Sequence, residues 1–296
     1  MIYLLLCILA NLLIFVVFRL YPKLKIDTFQ AIVMNYFFCV ITGLLFDLKT
    51  ITSFTHNLDS LPSWSYIALF LSIVFILSFA LMARTTQLLG ITVATIASKL
   101  SLVIPVSFSL LVFSRGAASF TWPNYLGLLL ALVAIVCASL KKTDTKAKNF
   151  WSDGKAMFLP FSVFLLGGML DTIINYANIS YIQTGEEPVF VTSIFILAFG
   201  WGLAWLIQKG EKFQIKSILG GFLLGLPNYF SMIFLLKSLE AFDNLGAFVY
   251  PLINIGIIIG GALISLTIFR DRLLPINYLG VFLALVALIF ISWENG

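Results

Sequence analysis

The sequence predicts an all-α polytopic membrane protein, with ten transmembrane helices arranged as two inverted five-helix repeats. Three observations carry this prediction. Of 296 residues, 61% are hydrophobic and 10% charged, with a mean hydropathy of +1.06, far more apolar than a soluble domain. Apolar runs of about 18 to 25 residues recur between short polar breaks, the length a helix needs to cross a hydrocarbon core roughly 30 Å thick. The segment "NYLGLLLALVAIVCAS" at 124–139 recurs as "NYLGVFLALVALIFIS" at 277–292, with ten of sixteen letters identical.

The first span is expected over 2–20. Its apolar stretch is too long for a signal h-region, lacks a preceding basic residue and has no small-residue cleavage site, so it reads as a retained helix. Further spans follow at 27–46, 64–83, 89–114 and 123–140, then at 156–181, 189–208, 217–236, 244–269 and 276–293. Trp64, Trp122, Trp151 and Trp293 fall near span ends, as an interfacial aromatic belt requires. The charged break "KKTDTKAKNFWSDGK" at 141–155 separates a first repeat, 1–140, from a second, 156–296. Each copy of the repeated segment closes one half. Five is odd, so the halves enter the membrane in opposite senses, a plan that recurs in secondary transporters with the substrate site between the halves.

The formal charge of +5 does not point to nucleic acid, because the basic residues sit in short loops beside apolar spans. Fourteen of the eighteen Lys and Arg lie at or beside the loops after spans 1, 3, 5, 7 and 9, against Lys49, Arg115 and Lys237 on the opposite face. That bias places the odd loops in the cytoplasm and both termini outside. The expected partners are the lipid bilayer and a small-molecule substrate, with no nucleic acid; oligomeric state is open. Cys7, Cys39 and Cys137 lie inside apolar runs and read as small hydrophobes.

Two ionisable residues lie deep in spans, Lys99 in the fourth and Asp171 in the sixth. Each costs about 2.5 to 3.5 kcal/mol at the bilayer centre on insertion scales, so each should face protein or a water-filled cavity. Helical spacing surrounds them with polar stripes: Thr92, Thr95 and Lys99; Asp171, Asn175 and Asn178; Asp243, Tyr250 and Asn254. Aligning "VFSR" at 112 with "TIFR" at 267 pairs Lys99 with Asn254, and laying "NLLIFVVF" over "DTIINYAN" pairs Asn11 with Asp171. One half then contributes a lysine and the other an aspartate to equivalent places. The charges can be a structural ion pair, a snorkelling lysine beside a lone carboxyl, or a substrate pocket. In the pocket reading Lys99 takes a carboxylate or other anionic group, and Asp171 takes an amine or carries a proton. Asn175, Asn254, Tyr250, Asn11 and Thr95 complete that expected substrate-binding set.

Tyr176, Asn228, Asn35 and Ser231 are lesser candidates, since polar side chains inside spans commonly join helices. Gly221 with Gly225 and Gly256 with Gly260 have the spacing of close helix packing, while Pro105, Pro227 and Pro251 are potential kinks. One histidine, His56, expected in a loop, and three scattered cysteines give no metal constellation, and no phosphate-binding GxxxxGK[ST] loop is present. No cofactor and no enzymatic activity are expected.

The span count, the five-plus-five duplication and Pro105 in the fourth span resemble the drug/metabolite transporter superfamily, and within it the ten-helix EamA-type permeases. Asp271 and Arg272 stand where that family has an acidic and basic pair after the ninth span, and Tyr278, Leu279 and Gly280 stand for the opening of its tenth. The chain departs from the pattern in "FSRGAASFTWPNYLG", which has no acidic residue after the fourth span, in the early position of Pro251, and in the missing Trp-Gly of the first span. The resemblance implies a multi-pass protein of a bacterial inner (plasma) membrane with both termini cytoplasmic, opposite to the charge bias. It implies a secondary transporter moving a small polar metabolite by alternating access. The two charges favour an amino acid or similar zwitterion, with proton coupling through Asp171. Substrate identity, direction and coupling ion are not written in the residues. A lipid or lipid-phosphate flippase of the same fold, and a membrane-embedded enzyme on a lipid-linked substrate, are the alternatives.

Overall fold

The computed structural model describes residues 2–56, 61–105, 122–140, 155–183, 186–210, 212–242 and 246–291. Residues 106–114 of the expected fourth span, most of the charged linker, Trp151, Trp293 and Asp243 lie outside them. The described residues form ten α-helices: α1 (Ile2–Leu24), α2 (Thr28–His56), α3 (Ser65–Leu89), α4 (Ile91–Leu100), α5 (Trp122–Ser139), α6 (Lys155–Ser180), α7 (Glu187–Gln208), α8 (Ile215–Ala241), α9 (Gly246–Thr267) and α10 (Pro275–Ile291). Seven, α1 to α3 and α6 to α9, are long and apolar enough to cross a bilayer, and Ile91–Pro105, Trp122–Ala138 and Pro275–Ile291 are shorter apolar stretches. The protein is a polytopic, all-helical membrane protein.

Helix ends follow backbone breakers rather than hydropathy. The apolar span within α2 is Thr28–Phe46, close to the expected 27–46, but the helix itself continues to His56, which is therefore helical instead of lying in a loop. The third was expected to stop at 83, yet α3 runs to Leu89, taking in Arg84. Neither stretch contains Gly or Pro, so nothing ends the hydrogen-bond ladder where the apolar pattern fades. α3 stops at Gly90, whose φ of 96° and ψ of 167° suit a residue without Cβ, and α4 begins at the next residue. Trp64, expected at an interface, is buried instead, with its indole N–H donating to Glu186 Oε2 at 3.1 Å.

α4 is broken just after Lys99, at Leu100. Pro105 has no N–H to give the Ser101 carbonyl, and the shorter bond from the Ile104 N–H, 3.0 Å, takes its place. The α-helix accordingly ends at Leu100, and helical structure resumes at 103, continuing to 105, where the described stretch ends.

Packing follows a regular scheme. α4 packs on α9, α2 on α7 and α5 on α10; α1 packs on α8 and α9, as α6 does on α3 and α4. The two Asn residues of the repeated "NYLG" lock α5 to α10 reciprocally. Asn124 at the start of α5 donates to the Phe290 and Ile291 carbonyls, each at 3.1 Å, at the end of α10. Asn277 at the start of α10 donates to Cys137 and Ala138, both at 3.0 Å, and to Leu140 at 2.7 Å, at the end of α5. Carbonyls that a helix C-terminus leaves unpaired are thus satisfied by a side chain of an antiparallel neighbour. Small residues complete the contact: a Cβ on Gly127 would lie 2.9 Å from Ile291, and one on Gly280 would lie 2.6 Å from the Ala138 backbone.

An aromatic-rich core joins α1, α2, α3, α7 and α8 through Phe18, Tyr21, Tyr36, Phe195 and Leu224. Gly221 and Gly225 let α8 approach α2, since a Cβ at 221 would collide with Met34 and one at 225 would sit 2.8 Å from Phe38 Cβ. One asymmetry frames the site. α1, α4 and α9 all pack on one another, whereas α6 packs on α4 without comparable packing on α9 among the described residues.

Candidate functional site

Lys99 is the ninth of ten residues in α4, so its ammonium sits in the last turn, where unpaired carbonyls favour a cation. Its Nζ donates to Asn11 Oδ1 of α1 at 2.9 Å. The other end of that amide is also committed, Asn11 Nδ2 donating to the Cys7 carbonyl at 2.9 Å. Cys7 Sγ in turn donates to the Ser231 carbonyl of α8 at 3.4 Å, anchoring this part of α1. Asn254 of α9 is buried and donates to the Lys99 carbonyl at 3.4 Å. The lysine is therefore held from two sides, by α1 at its head and α9 at its backbone.

Asp171 approaches from α6. Gly167, one turn before it, lies against Ser101, where a Cβ would be 3.0 Å from the hydroxyl, and Gly168 leaves space that Ile104 fills. This glycine pair brings α6 onto the break in α4 and turns Asp171 toward it. The carboxylate lies near Ser101, whose hydroxyl donates to the Ser98 carbonyl at 2.6 Å, and within electrostatic range of Lys99 and of Tyr250 on α9. Among the described residues no ion pair joins Lys99 to Asp171. The two charges lie within electrostatic range of each other, and Asp171, Asn175 and Tyr250 retain accessible surface while Lys99 is half-buried. Asp171 and Asn175 lie on α6 and Tyr250 on α9, two helices without extensive packing on each other among the described residues.

Other expected members lie elsewhere. Thr95 is fully buried, donates to the Thr92 carbonyl at 3.0 Å and packs against Gly261 at the α4–α9 contact. The Thr92 hydroxyl is buried without a partner. Asn228 and Asn35 bond to each other at 3.2 Å between α8 and α2, and the Ser231 hydroxyl donates to the Asn228 carbonyl at 2.7 Å. Tyr176 stands beside Tyr181, hydroxyl to hydroxyl at 3.4 Å. Sequence reading missed Ser101, which falls off the Lys99 stripe; its signal was the Gly167–Gly168 pair on the facing helix. It also missed the link between Arg19 and Asp271, whose carboxylate accepts from the guanidinium at 2.8 Å across most of the chain length. Among the described residues no three His, Cys, Asp or Glu side chains gather as a metal site.

Comparison with known proteins adds the fold. No family model matches the chain. An uncharacterized protein of Haemophilus influenzae is 26% identical over 288 residues, covering 95% of this chain and 94% of that protein. A solved crystal structure of a protein superposes with a TM-score of 0.52 at 10% identity, covering 97% of this chain and 98% of the other. At that identity the likeness speaks for the fold alone, which the chain shares with this crystallised protein nearly end to end.

Proposed function

We propose that the chain is a secondary transporter that moves a small polar metabolite, an amino acid or similar zwitterion, by alternating access. One observation supports this reading: Lys99 and Asp171 lie within electrostatic range of each other without closing to an ion pair, and Asp171 keeps accessible surface. A buried ion pair kept for stability would close to contact, since its mutual attraction must offset the desolvation of both partners. Two separated opposite charges at the end of a broken helix instead match a ligand bearing a carboxylate and an amine. Lys99 takes the carboxylate and Asp171 the amine, with Asn175 and Tyr250 on the walls.

The packing scheme supports two inverted five-helix halves, 1–140 and 156–296, joined by 141–155. Exchanging α1–α5 with α6–α10 maps α4–α9, α2–α7 and α5–α10 onto themselves and α1–α9 onto α6–α4. Asn254 touches Lys99, its partner in the repeat alignment, as residues beside a twofold axis do. In this reading all ten helices cross the bilayer, and the resemblance to EamA-type permeases of the drug/metabolite superfamily, with a bacterial inner membrane as its place, stands as part of the proposal. A flippase of the same fold is the second reading, because the α6–α9 gap could admit a lipid headgroup from the side.

The deciding experiment is uptake into proteoliposomes carrying a mixture of amino acids and other small metabolites, comparing wild type with Lys99→Ala and Asp171→Asn. Wild type should take up at least one zwitterion, and each variant should lose that flux while remaining monodisperse. Folded variants that transport like wild type would remove Lys99 and Asp171 from the pathway. Movement of a fluorescent phospholipid between leaflets, with no metabolite flux, would select the flippase.

A further inference from the structure

We infer that Arg19, Asp271 and the Gly90 break form a latch that closes one face of the protein and holds it in the conformation described here. The three parts come from α1, the α9–α10 connection and the α3–α4 junction. Arg19 donates to Asp271 Oδ1 at 2.8 Å and to the Thr86 and Gln87 carbonyls at 3.1 and 2.6 Å. Asp271 Oδ2 accepts from the Ser265 hydroxyl at 2.6 Å and lies 3.3 Å from where a Cβ on Gly90 would stand.

The chemistry is matched to the helix ends. Arg19 covers the C-terminal carbonyls of α3 and Asp271 sits beside the N-terminus of α4, so each charge meets the end of a helix dipole that favours it. Because a single residue separates the two helices, both ends are gripped at once. Behind the latch lies a cavity of about 170 Å³ lined by Leu89, Thr92, Val93, Ser265 and Asn277, with Asp271 in its wall. Three residues on from Thr92 along α4, Thr95 packs against Gly261 of α9, between the cavity-lining turn and Lys99 in sequence.

The asymmetry of packing says what the latch does. α1 packs on α3 and α4, whereas α6 makes no comparable packing on α8 or α9 among the described residues. The first half is drawn together where the latch sits, and the second is spread where Asp171 and Tyr250 are accessible. Residues 112–126, the counterpart of the α9–α10 connection, carry no acidic residue, so the sequence offers no matching carboxylate for the other face. The latch is therefore one-sided: it closes the face bearing Arg19, Lys23, Arg270 and Arg272, and its rupture lets that face open as α6 closes on α8 and α9. This inference rests on the transporter reading.

The test uses Val93→Cys, a buried position behind the latch, in phosphatidylethanolamine–phosphatidylglycerol nanodiscs, where a membrane-impermeant maleimide reaches both faces; the native cysteines are buried. Adding Arg19→Gln or Asp271→Asn should raise the labelling rate at residue 93 about tenfold, the scale of one lost charged hydrogen bond. Ser265→Ala, a milder change, should raise it less, and the Arg19→Gln, Asp271→Asn double variant should label no faster than either single. Unchanged labelling in folded variants would overturn the latch, as would a parallel rise at Ala134→Cys in the α5–α10 contact, which reports general loosening. No substrate is needed: unchanged labelling with flux intact rejects the latch alone, while faster labelling in a protein that moves no solute keeps the latch and rejects the transporter.

Discussion

An ammonium has three donors, and Asn11 accepts from Lys99 at 2.9 Å, while both ends of the Asn11 amide are occupied. Asn11 thus orients the lysine and leaves its remaining protons for a ligand. Hydrogen bonds to charged groups contribute about 1.5 to 3 kcal/mol, so Asn11→Ala should weaken the apparent affinity for an anionic group about tenfold or more, read from the concentration dependence of flux. Asn11→Asp places a competing carboxylate at Lys99 and should abolish transport while leaving thermal stability at or above wild type. At this scale the charges, their polar neighbours and the lysine's alignment with Asn254 were legible from helical spacing. That Asn254 bonds the Lys99 backbone, and that Thr95 is sealed against Gly261, depends on how the helices rotate about their axes. Spacing assigns residues to a common stripe without saying which neighbour the stripe meets.

Among the elements, the break in α4 matters most. Pro105 removes the donor for the Ser101 carbonyl, and the regular helix ends at Leu100, the residue after Lys99. Pro105→Ala restores that donor, so the helix should continue, carrying Ser101 away from Asp171. The variant should melt no lower than wild type and transport slowly, separating stability from function in one thermal scan and one flux assay. The α2–α8 contact gives a complementary prediction. Gly225→Leu forces a side chain into Phe38 and the Asn35 carbonyl, an overpacking of about 1 to 3 kcal/mol, and should lower the melting temperature with losses in flux no greater than the loss of folded protein. Apolar runs located the helices well. They ended α3 six residues early, because hydropathy reports where lipid is tolerated whereas the hydrogen-bond ladder of α3 runs on to the breaker Gly90.

For the molecule as a whole, the proposed transport cycle has α6 and α9 move toward and away from each other. If Asp171 carries the coupling proton, a pH gradient across proteoliposomes should accelerate wild-type flux and have no effect on residual flux in Asp171→Asn. A gradient response retained in Asp171→Asn would assign coupling to another group. The latch at Gly90 and the spread second half would then be two features of one conformation, with the pathway open on the Asp171 side.

Composition alone determined that this chain lives in a bilayer, because so apolar a sequence can satisfy its backbone there only as helices. The repeated "NYLG" segment pointed to two related halves, and its Asn residues proved to join α5 to α10 across them. Tertiary structure decided which partners the charges have. Lys99 went to Asn11 rather than Asp171, and Arg19, which reads in sequence as a topology signal, reached Asp271 over 252 positions of chain. The physical reason is range: a helical pattern correlates residues a few turns apart, whereas ion pairs and gaps between charges form between helices that the chain brings together only when folded.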